Sequence, residues 1–140
     1  MTEKENTLIE EVKKVIKWED DYVRKEFAKY KETPDEILEQ LSKDKNSYVR
    51  KEVAENPNTP GDILELLSFD IDSYVRKAVA KNKNTPDKAL TKLVSDDNEW
   101  VRLAVYENIK TYEKEEIILE SLKKREVREV EYDLSEIPII

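Results

Sequence analysis

Apolar residues along the chain fall in short clusters, and the clusters keep step with one another. Ile37, Leu38 and Leu41 lie three and four apart, as do Ile63, Leu64 and Leu67, so each set occupies one face of a helix. A polar stretch follows each set, for example 44–47. A second apolar group comes next, with Tyr48, Val49, Val53 and Ala54 at i, i+1, i+5 and i+6. The pattern predicts a first helix of about ten residues over 34–43 and a second over 48–56. Pro57 and Pro60 forbid the second helix from continuing, and Asn56 is suited to a left-handed cap at its end.

The two-helix pattern repeats. Val-Arg occurs at 23–24, 49–50, 75–76 and 101–102, always 26 residues apart. An aromatic residue precedes each pair: Tyr22, Tyr48, Tyr74 and Trp100. Asn56, Asn82 and Asn108 form another column, and Thr33-Pro34, Thr59-Pro60 and Thr85-Pro86 another. Leu38/Leu41, Leu64/Leu67 and Leu90/Leu93 recur, as do Asp44, Asp70 and Asp96. Residues 31–56 and 57–82 share 16 identities in 26. Thr before Pro predicts a helix start, with the Thr hydroxyl as cap and Pro preset for the first turn. Thr33 with Glu36, and Thr59 with Asp62, fit a capping box, which Lys88 breaks in the following unit. Neither short helix can bury its apolar face alone, whereas stacked neighbours can. The repeat therefore predicts a helical solenoid.

The ends depart from the period. Leu8, Ile9, Val12, Val15 and Ile16 predict an opening helix, and residues 1–30 read as an N-terminal cap with a degenerate first unit. Residues 31–108 hold three regular units. Ile117, Ile118, Leu119 and Leu122 predict a closing helix within 109–123. Residues 124–140 lose the pattern: Val127, Val130, Tyr132 and Leu134 suit a strand or a helix extension, and Ile137-Pro138-Ile139-Ile140 is an apolar end. That tail could associate two copies of the chain, fold back as a cap, or stay without structure.

Composition narrows the chemistry. The 140 residues include 25 Lys and Arg, 33 Asp and Glu, no His and no Cys, for a net charge of −8. Without Cys there is no disulfide framework, thiolate nucleophile or Cys-ligated metal, and without His the commonest general base is missing. The single glycine, Gly61, excludes phosphate-cradling loops. No stretch approaches the roughly 20 apolar residues of a membrane span, and the N-terminal residues carry no apolar signal segment. The expectation is a cytoplasmic chain without cofactor or membrane contact. Net negative charge disfavours nucleic acid in general, though not a local basic patch. The Lys and Glu abundance also fits a thermophile's composition.

The segments Asn56-Pro57-Asn58-Thr59-Pro60 and Asn82-Lys83-Asn84-Thr85-Pro86, the Leu-x-x-Leu that follows each, and the Asp-x-x-x-x-Val-Arg and Val-Ala-x-Asn strings resemble the leucine-rich repeat variant family. The family is similar in style to HEAT and armadillo solenoids, and the resemblance covers roughly residues 30–108. It implies an all-α fold: a right-handed α-α superhelix of about four 26-residue units with capping helices, alternating α-helices with shorter, partly 3₁₀ ones. Because family repeats are usually slightly shorter, the second helix here is expected to be more fully α. It also implies an interaction scaffold. The iron–sulfur centre carried by some members does not transfer, because this chain has no Cys.

Three sets of residues bear on function. Arg24, Arg50, Arg76 and Arg102, joined by Lys25, Lys51 and Lys77, could form a basic ladder matched to a phosphate backbone. Loop carboxylates and amides stand close in sequence, however. These are Asp20, Asn46, Asp72 and Asn98 four residues before each Arg, and Asp44, Asp70 and Asp96 six before the last three. Forked, charge-assisted bonds to such groups make the Arg column structural. Tyr22, Tyr48, Tyr74 and Trp100 could be a stacking platform, or could pack between units as half-buried rings. Asp70-Ile71-Asp72 and Asp96-Asp97-Asn98 offer oxygen clusters but lack the glycine and bidentate Glu of a calcium loop, so helix capping accounts for them. No serine sits in a nucleophile motif; Ser42 and Ser68 fill one repeat column. A non-catalytic scaffold that binds a protein through the aromatic column and adjacent lysines is therefore expected, with a HEAT-like nucleic-acid binder using the same columns as the alternative.

Overall fold

The computed structural model describes residues 1–18 and 20–124, with the side chains of 15–18 and 124 excepted. The helices are α1 (Glu3–Trp18), α2 (Asp21–Lys29), α3 (Asp35–Leu41), α4 (Ser47–Glu55), α5 (Gly61–Leu67), α6 (Ser73–Lys81), α7 (Asp87–Leu93), α8 (Glu99–Thr111) and α9 (Glu115–Lys124). Among the described residues there is no strand and no 3₁₀ helix. Helices α2, α4, α6 and α8 stack side by side in one row, while α1 packs on α3, α5 on α7 and α7 on α9 in the other layer. This is a helical repeat solenoid.

The core runs between the layers as columns. Leu38, Leu64 and Leu90 are buried at equivalent positions, as are Leu41, Leu67 and Leu93, and Val49, Val75 and Val101. Burying each such side chain is worth about 1.5–3 kcal/mol, and every unit contributes the same set. Ile9 anchors α1, and Ile118 and Leu122 anchor α9 at the other end, whereas Leu8 and Ile117 face solvent. Neighbouring units approach closely at Gly61, where a Cβ would come within 3.1 Å of Pro86 Cγ. Asp35 and Asp87 stand at the corresponding positions of the flanking units.

Four local expectations require correction. The first helix of each unit has seven residues, not about ten. It begins after Pro34, Pro60 and Pro86, which are themselves the N-cap positions and offer no side-chain cap. Thr33, Thr59 and Thr85 do not cap these helices. Each is buried and donates its hydroxyl backwards, to the carbonyls of Phe27, Val53 and Val79, at 2.5–2.6 Å. Each of these carbonyls lies in the last turn of the preceding helix, where it accepts the N–H three residues on and takes the hydroxyl as well. Asn56 is not left-handed either; it ends α4 in extended backbone at φ −64 and ψ 123. Nor is the shorter helix of each unit 3₁₀ in part, since α3, α5 and α7 are α throughout.

The side chains of Val15 and Ile16 lie outside the described residues. So do Val127, Val130, Tyr132, Leu134 and the Ile137–Ile140 end, and with them the expectations for the tail.

Candidate interaction surface

The second helix of each unit is capped by the residue before it. Asn46 Oδ1 accepts the Tyr48 N–H at 2.8 Å, Asp72 Oδ1 accepts that of Tyr74 at 2.8 Å, and Asn98 Oδ1 accepts that of Trp100 at 2.9 Å. The first unit differs, since Asp20 Oδ1 takes the N–H of Val23. Identical caps fix the aromatic residue in the first turn of its helix, so its Cα–Cβ bond leaves successive units in the same direction. These four rings are not buried between units. Tyr22 is 64% exposed, Tyr48 68%, Tyr74 69% and Trp100 52%, while the adjacent Val49, Val75 and Val101 are fully buried. They stand in a row along one lip of the solenoid.

Lys25, Lys51 and Lys77 follow three residues after their aromatic residue, on the same helical face. Lys25 Nζ lies 5.8 Å from the Tyr22 ring centre. Lys77 reaches to the next unit, 5.9 Å from the Trp100 ring centre. Lys51 pairs with Glu55 at 3.1 Å. No carboxylate among the described residues pairs with Lys25 or Lys77. Leu103 ends the lysine column. Between Tyr74 and Trp100 a cleft of about 320 Å³ opens, lined also by Ser73, Lys77 and Asn98.

The arginines face a different task. Arg24, Arg50 and Arg76 donate Nε to Asp44, Asp70 and Asp96 of the following unit at 2.7–2.8 Å, with Nη2 on the second carboxylate oxygen at 3.2–3.4 Å. Arg50, Arg76 and Arg102 also donate Nη1 to the carbonyls of Asp44, Asp70 and Asp96 in their own unit's turn. Arg50 and Arg76, which make both sets of bonds, each rivet three segments of chain. The hydrogen bond to its Asp raises the pKa of each of the first three above the ordinary arginine value, despite burial. Burial works to raise the Asp96 carboxyl, but the Arg76 guanidinium and the Asn98 N–H outweigh it and hold it below the ordinary range. Leu122 stands where Arg102 would meet its Asp.

A second ladder uses the asparagines. Asn56 Nδ2 donates to the carbonyls of Ala28 and Tyr30, and Asn82 Nδ2 to those of Ala54 and Asn56. Their Oδ1 atoms accept the N–H of Asn58 and Asn84. Asn108 keeps only the bond to the Asn82 carbonyl, and its buried Oδ1 has no partner. The reason is local: α8 continues through Thr111, so the N–H two residues on is spent within the helix.

The Asp-rich turns are likewise engaged. Asp70 Oδ1 accepts the N–H of Asp72, and Asp96 Oδ1 that of Asn98, in addition to the arginines. Among the described residues no three acidic side chains are grouped to hold a metal, and no helix is long and apolar enough to cross a membrane.

One surface feature escaped the repeat pattern. Leu66, Phe69 and Ile71 are 63%, 67% and 92% exposed. Flanking units place Gln40 and Lys92, Lys43 and Ser95, and Lys45 and Asp97 at these positions. Lys92 covers one side of the group, 4.2 Å from the Phe69 ring centre, and donates to the Ser68 carbonyl at 2.6 Å. Burial there lowers the Lys92 pKa. The legible signal was a polar column turning apolar in one unit only.

The period, the Thr-Pro turns and the buried leucine columns together define the unit, and a comparison with protein families recognises it. Residues 49–72 match the leucine rich repeat variant family. The matched segment runs from Val49 of α4 to Asp72, the cap of α6, so it spans the Asn-Pro-Asn-Thr-Pro turn and all of α5. No curated protein and no solved structure matches the chain significantly. The leucine rich repeat variant unit is of the scaffold type, and the all-helical stack agrees with it.

Proposed function

We propose that the chain is a non-catalytic scaffold that binds another protein through the aromatic lip. One observation carries this: four aromatic side chains with mostly solvent-exposed rings recur at the same position of successive units, although Val49, Val75 and Val101 beside three of them are buried. An exposed ring in every unit contributes little to the core, and exposed Tyr and Trp are the residues that dominate protein contacts. The alternative of a nucleic-acid groove is weakened by the arginines, three of which are held by carboxylates. Asp20, Asp21, Asp72 and Glu99 also lie beside the rings, where they would repel phosphate.

A photo-cross-linking amino acid placed at 48 or 74 in cells of the native host tests the lip, with Glu39 on the exposed side of α3 as control position. A defined protein adduct from 48 and 74, absent from 39, is expected. Adducts from 39 alone, or from all three equally, would reject the lip as the contact surface. Titration with single-stranded polyuridine at low salt should leave the protein unbound; saturable binding that weakens steeply with salt would favour the nucleic-acid alternative.

A further inference from the structure

We infer that the exposed group Leu66, Phe69 and Ile71 is the docking site of the chain's own Ile137-Pro138-Ile139-Ile140 segment, which folds back along the solenoid to cover it. The group is separate from the lip. It lies on the layer of first helices, in the last turn of α5 and the turn that follows.

Reach is the first argument. Helices α5, α7 and α9 succeed one another in one layer. α9 leaves α8 through the turn at 112–114 and packs on α7, so it runs in the same direction as α7 and α5. Its last residue, Lys124, therefore stands at the edge where α5 ends and Phe69 and Ile71 follow. Packed helices lie about 8–10 Å apart, so two spacings put the group roughly 20 Å from Lys124. Residues 125–136 span up to about 40 Å when extended. The apolar run after them arrives with slack.

Size is the second. Only one unit turns apolar at these positions, so the surface does not continue into its neighbours. Three side chains of at most about 200 Å² each fall short of the roughly 800 Å² that each partner commits to a stable interface. A second folded copy is therefore a poor match, and a short segment a good one. A tethered segment also acts at an effective concentration of the order of millimolar, so a small contact suffices.

Chemistry is the third. Ile137, Ile139 and Ile140 meet three apolar side chains with three of their own, and Pro138 brings no N–H that docking would have to satisfy. Lys92, on α7 between α9 and the group, lies against the Phe69 ring and pairs with no carboxylate among the described residues. Glu136, immediately before the run, arrives on that side. The carboxylates nearby are engaged: Asp70 with Arg50, Asp96 with Arg76, Glu65 with Lys88, and Asp72 as the cap of α6, while Asp97 lies 3.5 Å from Arg76.

The full chain tests this, with a photo-cross-linking amino acid in place of Ile71 or, as control, of Lys45, its counterpart in the preceding unit. Both positions are exposed, so circular dichroism should match the wild type. Irradiation, digestion and mass spectrometry should place the adduct from 71 within residues 129–140 of the same monomer, at a yield unchanged by dilution. Position 45 should yield at least fivefold less, and Ile139→Asp with Ile140→Asp should cut the yield from 71 at least fivefold. A covalent dimer lost on dilution would make the occupant a second copy. Adducts elsewhere in the chain, equal yields from 45 and 71, or no adduct at all would likewise overturn the inference. The chain has no cysteine, so Ile71→Cys gives a second measurement without the photo-reactive group. Its thiol should react with a maleimide at least fivefold faster once Ile139→Asp and Ile140→Asp are added; equal rates would reject the docking.

Discussion

Arg76 and Lys77 are neighbours with opposite duties. The guanidinium of Arg76 is bonded to Asp96 and to the Asp70 carbonyl and is largely shielded, whereas Lys77 lies along the lip near Trp100. Arg76→Ala leaves a shielded carboxylate without its cation and should cost about 2–4 kcal/mol. Lys77→Ala should cost less than about 0.5 kcal/mol. Urea denaturation midpoints check the contrast, and equal midpoints would contradict the assignment. Asp96 sets the pH response of the same contact. Its folded pKa is depressed, so its contribution is fully present above the unfolded value of about 3.9 and disappears as pH falls through the lower folded value. The stability gap between wild type and Asp96→Asn should therefore be wide at pH 7 and narrow at pH 3. Sequence spacing exposed the Arg and Asp columns, because both keep the period. It could not say that Nε reaches twenty residues forward to the next unit while Nη1 reaches six back, since that depends on how units stack. The hydroxyl of Thr33 misled for a similar reason. A cap and a backward bond need the same residue, and only the position of the Phe27 carbonyl decides between them.

At the level of helices, α8 is the exception. Its counterparts α4 and α6 stop at Glu55 and Lys81, but α8 runs to Thr111, and Ile109 supplies a buried apolar residue where Pro57 and Lys83 stand in earlier units. It ends on Glu113 at φ 55, a left-handed residue that is not glycine. The Lys114 N–H closes on the Ile109 carbonyl at 2.9 Å, which makes this a Schellman stop. Relieving the left-handed strain outweighs the extra freedom of glycine in the unfolded chain. Glu113→Gly should thus raise stability by about 0.5–1 kcal/mol, read as a higher urea midpoint; a lower one would mean that the Glu side chain is itself bonded there. Helix order and type followed from hydrophobic spacing. Lengths did not: Pro34, Pro60 and Pro86 take the cap position and begin the helix one residue later, and the helix stops at Leu41, Leu67 and Leu93, two residues early at the other end.

Across the whole molecule, burial is graded from the middle outward. Units containing α4, α6 and α8 have neighbours on both sides, while Ile9 is the buried apolar side chain of α1 among those described. In a stack held by nearest-neighbour contacts, opening begins where a neighbour is missing. Amide hydrogen exchange should be slowest at α6, faster at α2, and fastest at α1 and α9. Uniform protection would indicate a single cooperative unit. The solenoid as a whole was legible from one number, the 26-residue period. The exposed lip was not, since an aromatic column reads equally well as packing until the rings are seen to stand clear of the valines beside them. The bonds between units impose a further condition. Arg pairs with Asp twenty residues on and Asn with carbonyls 26 and 28 back, so the chain has something like a reading frame. Duplicating or excising a regular unit such as 57–82 should restore the Arg and Asn bonds in phase and change only the length of the lip. Inserting a single residue in one turn is a frameshift: it displaces a cap, a carboxylate and a carbonyl together, and no neighbouring unit can take up the slack.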